Sequence, residues 1–430
     1  MFTSITATKS VIINDEEASF DGYLFYQPEY SRHSYLINND KQVVHKWTSN
    51  HILSLTSYLL ENGSIIHSCY GGVYSLLWGG GFTGRVEMID WDNNLIWEFK
   101  YVNLKHCLHN DIEPLPNGNI LLIVWEKKTK DETIAAGCNP DLNPIFGFQI
   151  DGIIEVEPTY PKGGKIVWEW HVWDHLIQDY DSTKENYGVV ADHPELVDIN
   201  FRGIKRAGHY LHTDFTHLNS IDYIEEYDQL ILSFRSLNEI WIIDHNTTTE
   251  EAAGHTGGNY GKGGDILYRW GNPQVYDMGN ESDQQLYAQH DARWIVFNNS
   301  SERHITIFNN GVSRPVEDYS SVEEIVVPID ENGNYYLEPG SVYGPEEPIW
   351  TYGKNKSYFY SSILSSAQRL PNGNTLVNNG INGSFFEVTP DKEIIWRYIN
   401  RFPIMLPPIN SVFKVHYYPE DYLKLVELDI

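Results

Sequence analysis

LHTDFTHLNSIDYIEEYDQLILSFRSLNEIWIID, residues Leu211–Asp244, decides how the chain is read. Short runs of strand formers (Asn219–Ile224, Leu230–Arg235, Ile240–Asp244) are separated by polar turns. Each run is too short for a helix, so the stretch reads as an antiparallel meander. With the first turn centred near Tyr227, His217 lies about ten residues before it and Arg235 about eight after. Antiparallel pairing then brings the two side chains to one edge of the sheet. An imidazole and a guanidinium at one rim could handle an anion. The competing reading is that Arg235 pairs with Asp222 or Glu239 across the hairpin.

The meander is one copy of a repeat. A strand ending in an aromatic pair recurs six times: VVHKW ending at Trp47, LIWEF at Phe99, IVWEW at Trp170, ILYRW at Trp270, PIWTY at Tyr352 and IIWRY at Tyr398. About 40–100 residues separate successive copies. Ahead of most copies lie another strand and a hairpin turned at ENG (Glu61–Gly63), PNGN (Pro116–Asn119), EYDQ (Glu226–Gln229) or PNGN (Pro371–Asn374). Asn-Gly between apolar runs is a strong hairpin signal. Four antiparallel strands per copy make a propeller blade. Five units run Ser54–Phe99, Asp111–Trp170, Asn219–Trp270, Ala292–Tyr352 and Ser366–Tyr398. The N-terminal unit (Gly22–Gln27, Ser34–Asn38, Val43–Trp47) lacks an inner strand, which Val412–Tyr417 can supply. The expectation is a single all-β domain over residues 1–430: a six-bladed propeller closed by pairing of its terminal strands. Insertions are expected at about 171–213 (mixed, partly helical), 246–264 (a Gly-, Thr- and His-rich loop) and 331–347 (a long outer turn).

Aromatic content of 14% can fill a large β core. The net charge of −29 repels phosphate backbones and anionic lipid, so nucleic acid and membrane are not expected partners. An anionic substrate must meet a local concentration of Arg and His. No run of ~18 apolar residues spans a bilayer, and the first residues carry no signal-peptide pattern. The three cysteines have no CxxC spacing. A soluble, cytoplasmic protein is the expectation.

Counting back from each hairpin turn gives the residue that starts the innermost strand: His109 (LHNDIEPL), His217 (THLNSIDY) and His290 (QHDARWIV), with Ser54 and Ser365 or Ser366 in the other blades. Innermost strands line the axis, so the three histidines should converge at one mouth with Arg235 beside them. TGGNYGKG (Thr256–Gly263) is a glycine-rich turn, because it lacks both the ends and the strand–loop–helix context of a phosphate loop. His171 and His175 stand at i, i+4, a metal spacing if helical, but the HExxH glutamate is replaced by Val172. His175 is nevertheless expected to reach the channel mouth.

HND…PNGN, HLNS…SFR, QHDAR and the terminal VFKVHYYPEDY resemble the arylsulfate sulfotransferase family over about Gly22 to Tyr422. WEWHVWDHLIQD, DHNTTTEEAAGHTGG, GGDILYRWGNP and AQRLPNGNTL are similar to a branch of bacterial members of unknown substrate. The resemblance implies a six-bladed propeller that moves sulfate from a phenolic sulfate donor to a phenol acceptor through a sulfated histidine. It implies neither a nucleotide sulfate donor nor a cofactor. Carried over by motif, His290 is the nucleophile, His217 and Arg235 hold the sulfuryl oxygens, and His109 is the histidine of the first motif. Asn110 stands where many relatives have a second histidine. Asn110, Asn219 and His175 are candidate substrate contacts. Two alternatives remain. One is a metalloenzyme with a transition metal on His109, His175, His217 and His290, in which Asp111 and Asp291 would orient the rings. The other is a propeller that binds a small ligand without turnover.

Overall fold

The computed structural model of the chain describes residues 19–72, 77, 79–203, 213–295, 302–354, 359–402 and 409–423. Six four-stranded antiparallel sheets are arranged as the blades of a β-propeller. Blades 1 to 5 take their strands in chain order, with innermost strands Leu53–Leu59, His106–Pro114, Leu218–Ile224, His290–Ile295 and Ser366–Arg369. Blade 6 is built from both ends of the chain. Its innermost strand, Val412–Tyr418, pairs with Tyr23–Pro28, followed by His33–Asn38 and Val43–Thr48. Phe25 stands opposite His416 and Tyr26 opposite Val415. The expected closure is therefore present.

The aromatic repeat explains how the blades adhere. Trp97 of blade 1 donates its indole N–H to the Gly163 carbonyl (2.7 Å), Trp170 of blade 2 to Gly264 (2.7 Å), and Trp270 of blade 3 to Pro345 (2.8 Å). Trp350 of blade 4 reaches Pro390 (2.8 Å) and Trp396 of blade 5 reaches Asn39 (2.9 Å). Each acceptor lies between the third and fourth strands of the next blade. An indole buries a large apolar face while its N–H finds a partner, so one residue type serves as both core and inter-blade tie. Trp47 meets Trp91 edge-on instead, with ring centroids 5.2 Å apart.

The innermost strands begin irregularly. Pairing registers slip between Leu53 and Ser57, Leu108 and Ile112, Leu218 and Ser220, and His290 and Arg293. Asn110, His217 and Asp291 have φ of 52°, 51° and 51°. Such left-handed bulges re-aim side chains toward the axis and are costly for non-glycine residues.

Just beyond the bulges, charged groups tie the inner strands together. Lys414 of blade 6 is bonded to Asp111 of blade 2 and lies 2.8 Å from Asp291 of blade 4. Asp111 also accepts from Thr56 of blade 1 and from the Ile221 N–H of blade 3. Asp291 accepts from the Ala367 N–H of blade 5 and from Arg293. All six inner strands thus meet through two carboxylates and one ammonium.

The expected insertions carry short elements of their own, and residues 204–212 of the first lie outside the described residues. His171 ends a strand and Val172–His175 is a single 3-10 turn, so the two histidines do not share a helical face. Leu176–Ile177 pairs in parallel with Val197–Asp198. In the segment expected to be a loop, Thr249–Ala252 is a short helix with a Thr248/Glu251 capping box. Thr256–Gly263 is indeed a turn, closed by Gly263 N–H to Gly257 carbonyl at 3.0 Å. Among the described residues no helix is long and apolar enough to cross a membrane.

Deleting residues 411–430 removes the strand that closes the ring together with Lys414. The truncated protein is expected to lose its cooperative transition as a whole, read by circular dichroism during heating. An unchanged melting midpoint would contradict the closure argument.

Candidate active site

The bulged ends of the inner strands open into a cavity of about 740 Å³ at one mouth of the propeller. Ser54, Asn110, His217, Arg235, His290 and Phe413 all line it. Aromatic side chains form one wall: Tyr30 stacks on Tyr70 with centroids 5.8 Å apart, and Tyr70 stacks on Phe82 at 6.3 Å. The cavity therefore has cationic and imidazole groups on its floor and flat rings on its side.

His290 is held in one tautomer. Asn310 gives both amide hydrogens to backbone, at Ser361 O (2.8 Å) and Leu364 O (3.0 Å), so its Oδ1 faces the ring. That oxygen can only accept, so the His290 Nδ1 2.7 Å away carries the hydrogen. Nε2 is left with a lone pair. Burial, then the Arg235 guanidinium, hold the imidazole far below its ordinary value, at about 3. His290 is thus a neutral imidazole with its hydrogen on Nδ1.

His217 is oriented from behind by Asp214, which accepts from Nδ1. Its backbone carbonyl takes the Arg235 N–H at 3.0 Å, which fixes the two residues side by side as the meander predicts. Both acids named as alternative partners hold other groups. Glu239 pairs with Arg269 and Trp241, and Asp222 accepts from the Trp294 N–H at 2.8 Å.

His109 stands one layer back from the cavity. Its Nε2 donates to Asp151 at 2.6 Å, its ring stacks on Trp125 at 4.0 Å, and its Nδ1 takes a hydrogen from Asn110 at 3.0 Å. Burial lowers its pKa, against the pull of Asp151. It touches His217 with ring centroids 6.3 Å apart. Asn110 is what reaches the cavity in blade 2, and its Oδ1 lies against Gly81. A Cβ on Gly81 would sit 2.0 Å from that oxygen, and its φ is +100°, so only glycine fits there.

Two expectations are corrected. His175 does not reach this mouth: it is fully buried against Trp170, Ala252 and Asp265 in the insertion. Asn219 is also buried away from the cavity, donating to the Gln289 carbonyl at 2.7 Å and tying blade 3 to blade 4. His109, His175, His217 and His290 therefore do not form one cluster. Among the described residues, the groups spaced to hold an ion are His67, Cys69 and Glu87, and His175, His255 and Asp265. Asp111 and Asp291 turn toward Lys414 rather than orienting the histidine rings. The three cysteines are buried and free. Sequence reasoning missed Asn310, Asp214 and Asp151, because an orienting side chain from another strand or loop leaves no mark at the repeat position.

The arylsulfotransferase (ASST) family profile matches residues 82–401, most of the chain. The chain belongs to that family. No curated protein matches it. Among solved structures, a protein of unknown function from Bacteroides caccae aligns with a TM-score of 0.47 and 10% identity, over 92% of this chain and 98% of that one. Hydrazine synthase of Kuenenia stuttgartiensis aligns at 0.37 and 9%, over 91% and 81%. A putative 6-phosphogluconolactonase from Bacteroides fragilis aligns at 0.40 and 10%, over 92% and 87%. These similarities carry no argument about activity. Family membership supports a broadly arylsulfotransferase-like activity.

Proposed function

We propose that this family member moves a sulfuryl group between phenols through a sulfated His290, without a nucleotide sulfate donor or a metal. The observation that carries the reading is the His290–Asn310 bond, which leaves Nε2 as a neutral nucleophile in the cavity that Arg235 also lines. His290 Nε2 attacks sulfur, the S–O bond to the aryl group breaks, and its electron pair leaves on the phenolate. His217 enters this step as an imidazolium whose Nδ1–H is held by Asp214; it gives that oxygen its Nε2 proton and is left neutral. The acceptor phenol then returns the proton to His217 as its oxygen attacks sulfur, and His290 is restored. Sulfuryl transfer, like phosphoryl transfer, spreads charge over three oxygens, where Arg235 acts. Asn310 Oδ1 steadies the positive ring of the N-sulfated state. The Tyr30–Tyr70–Phe82 wall receives the aryl ring, Asn110 contacts the substrate, and His109 positions Asn110 and His217. A metal on these histidines would place a cation beside Arg235, with Asp111 and Asp291 committed elsewhere.

Incubation with a nitrophenyl sulfate and no acceptor is expected to release at most one nitrophenolate per chain. The protein should gain the mass of one SO₃, located by fragmentation at His290, with turnover appearing only when a second phenol is added. Labelling is expected to persist in acid to roughly pH 4, because His290 protonates only as pH falls through about 3. Steady release with no adduct, or near-stoichiometric transition metal bound by these histidines, would withdraw the assignment.

A further inference from the structure

A second chemical centre lies outside this cavity, where the insertion after blade 2 meets the segment before the last strand of blade 3. His175 is fully buried, and its Nε2 is 2.9 Å from the Ala252 carbonyl. A carbonyl only accepts, so Nε2 carries a ring hydrogen. Nδ1 faces Oδ1 of the buried Asp265 from 2.8 Å. Those two atoms can share either a proton or a metal ion, and imidazole nitrogens with a carboxylate oxygen are a donor set that suits first-row metals. A second imidazole converges on the same oxygen: His255 Nδ1 is also 2.8 Å from Asp265 Oδ1, and the two rings are nearly perpendicular at 82°.

We propose that His175 Nδ1, His255 Nδ1 and Asp265 Oδ1 bind one divalent first-row transition metal. Two ligand atoms 2.8 Å apart, each ~2.1 Å from a metal, subtend about 84° there, close to octahedral edges. The bond from His175 Nε2 to Ala252 is the outer contact that metal-bound imidazoles usually make. The scaffold around the ligands is fixed: Gly264 receives the Trp170 indole and the Ile266 N–H is bonded to Glu195 at 3.1 Å. His255 is more than half exposed and borders a separate cavity of about 610 Å³, lined also by Trp173, Asp174 and His193. Coordination positions not taken by protein therefore open to water or to a small anionic ligand. The charge of −29 favours capture of a cation.

The test uses the full chain, treated with chelator and titrated with Co²⁺, followed by visible absorption and calorimetry. One Co²⁺ per chain is expected, with a thermal midpoint that rises as Co²⁺ is added. His255→Ala removes an exposed ring and should fold normally. It should bind Co²⁺ at least tenfold more weakly, lose the thermal shift and keep phenol-to-phenol transfer. Asp265→Asn should weaken binding similarly, and His290→Ala should leave it unchanged. Absence of saturable binding, or binding that survives both His255→Ala and Asp265→Asn, would overturn the site and leave sulfation of His290 unaffected.

Discussion

His290→Ala is expected to abolish both sulfation and turnover, with a loss of ~10⁴-fold or more in the rate of transfer between phenols, as removal of a nucleophile does elsewhere. The side chain is buried, so the substitution also strands Asn310 Oδ1, at about 1–3 kcal/mol of stability. That cost is small enough to leave a folded ring, which circular dichroism can establish. Arg235→Ala should behave differently. The nucleophile remains, but the transition-state oxygens lose their cation, so transfer slows by roughly 10²–10³-fold and labelling becomes slow rather than absent. A His290→Ala protein that still turns over would move the chemistry to another residue of the cavity, His217 first.

Lys414→Met is the corresponding expectation for the fold. Lys414 is buried between Asp111 and Asp291, and these carboxylates hold groups from the other inner strands. Its own pKa is raised, since the two acids outweigh desolvation. Removing the ammonium leaves two buried carboxylates with Arg293 still beside Asp291, a loss of about 3–5 kcal/mol. Denaturant titration should show a lower midpoint with an unchanged slope. Adding Asp111→Asn to Lys414→Met should restore part of the loss, because it removes one of the stranded charges. A wild-type midpoint for Lys414→Met alone would mean that solvent reaches the axis and compensates the acids there.

The fold was legible because the repeat is visible in residue type: the aromatic pairs mark outer strands and Asn-Gly marks the first hairpins. Counting back from the first hairpin of each blade located His217 and His290, where innermost strands begin, and the antiparallel meander brought Arg235 beside His217; all three line the cavity. The same count could not tell His109 from Asn110. The bulge at Asn110 turns one side chain into the cavity and its neighbour into the layer behind, and a bulge is a matter of backbone conformation. His175 was misplaced because its sequence neighbourhood gives no direction for a loop. It folds back on Ala252 and Asp265, 77 and 90 residues further along the chain. The axial network was legible in hindsight. A lysine within VFKVHYY, a strand otherwise destined for burial, is costly unless acids meet it, and HND and QHD supply an acid at the matching place in two blades.

The indole ties have a consequence for how such a chain could arise. In every tie the donor belongs to one blade and the acceptor to the next, so a blade in isolation leaves its tryptophan N–H unsatisfied and one face of its core wet. A gene encoding a single repeat would make a product that is stable only as a closed ring of copies. Fusing those copies end to end changes none of the contacts and frees each to vary. The seam between blades 6 and 1, where Trp47 has no such acceptor among the described residues and leans on Trp91 instead, is where this protein's repeats depart from one another at the rim.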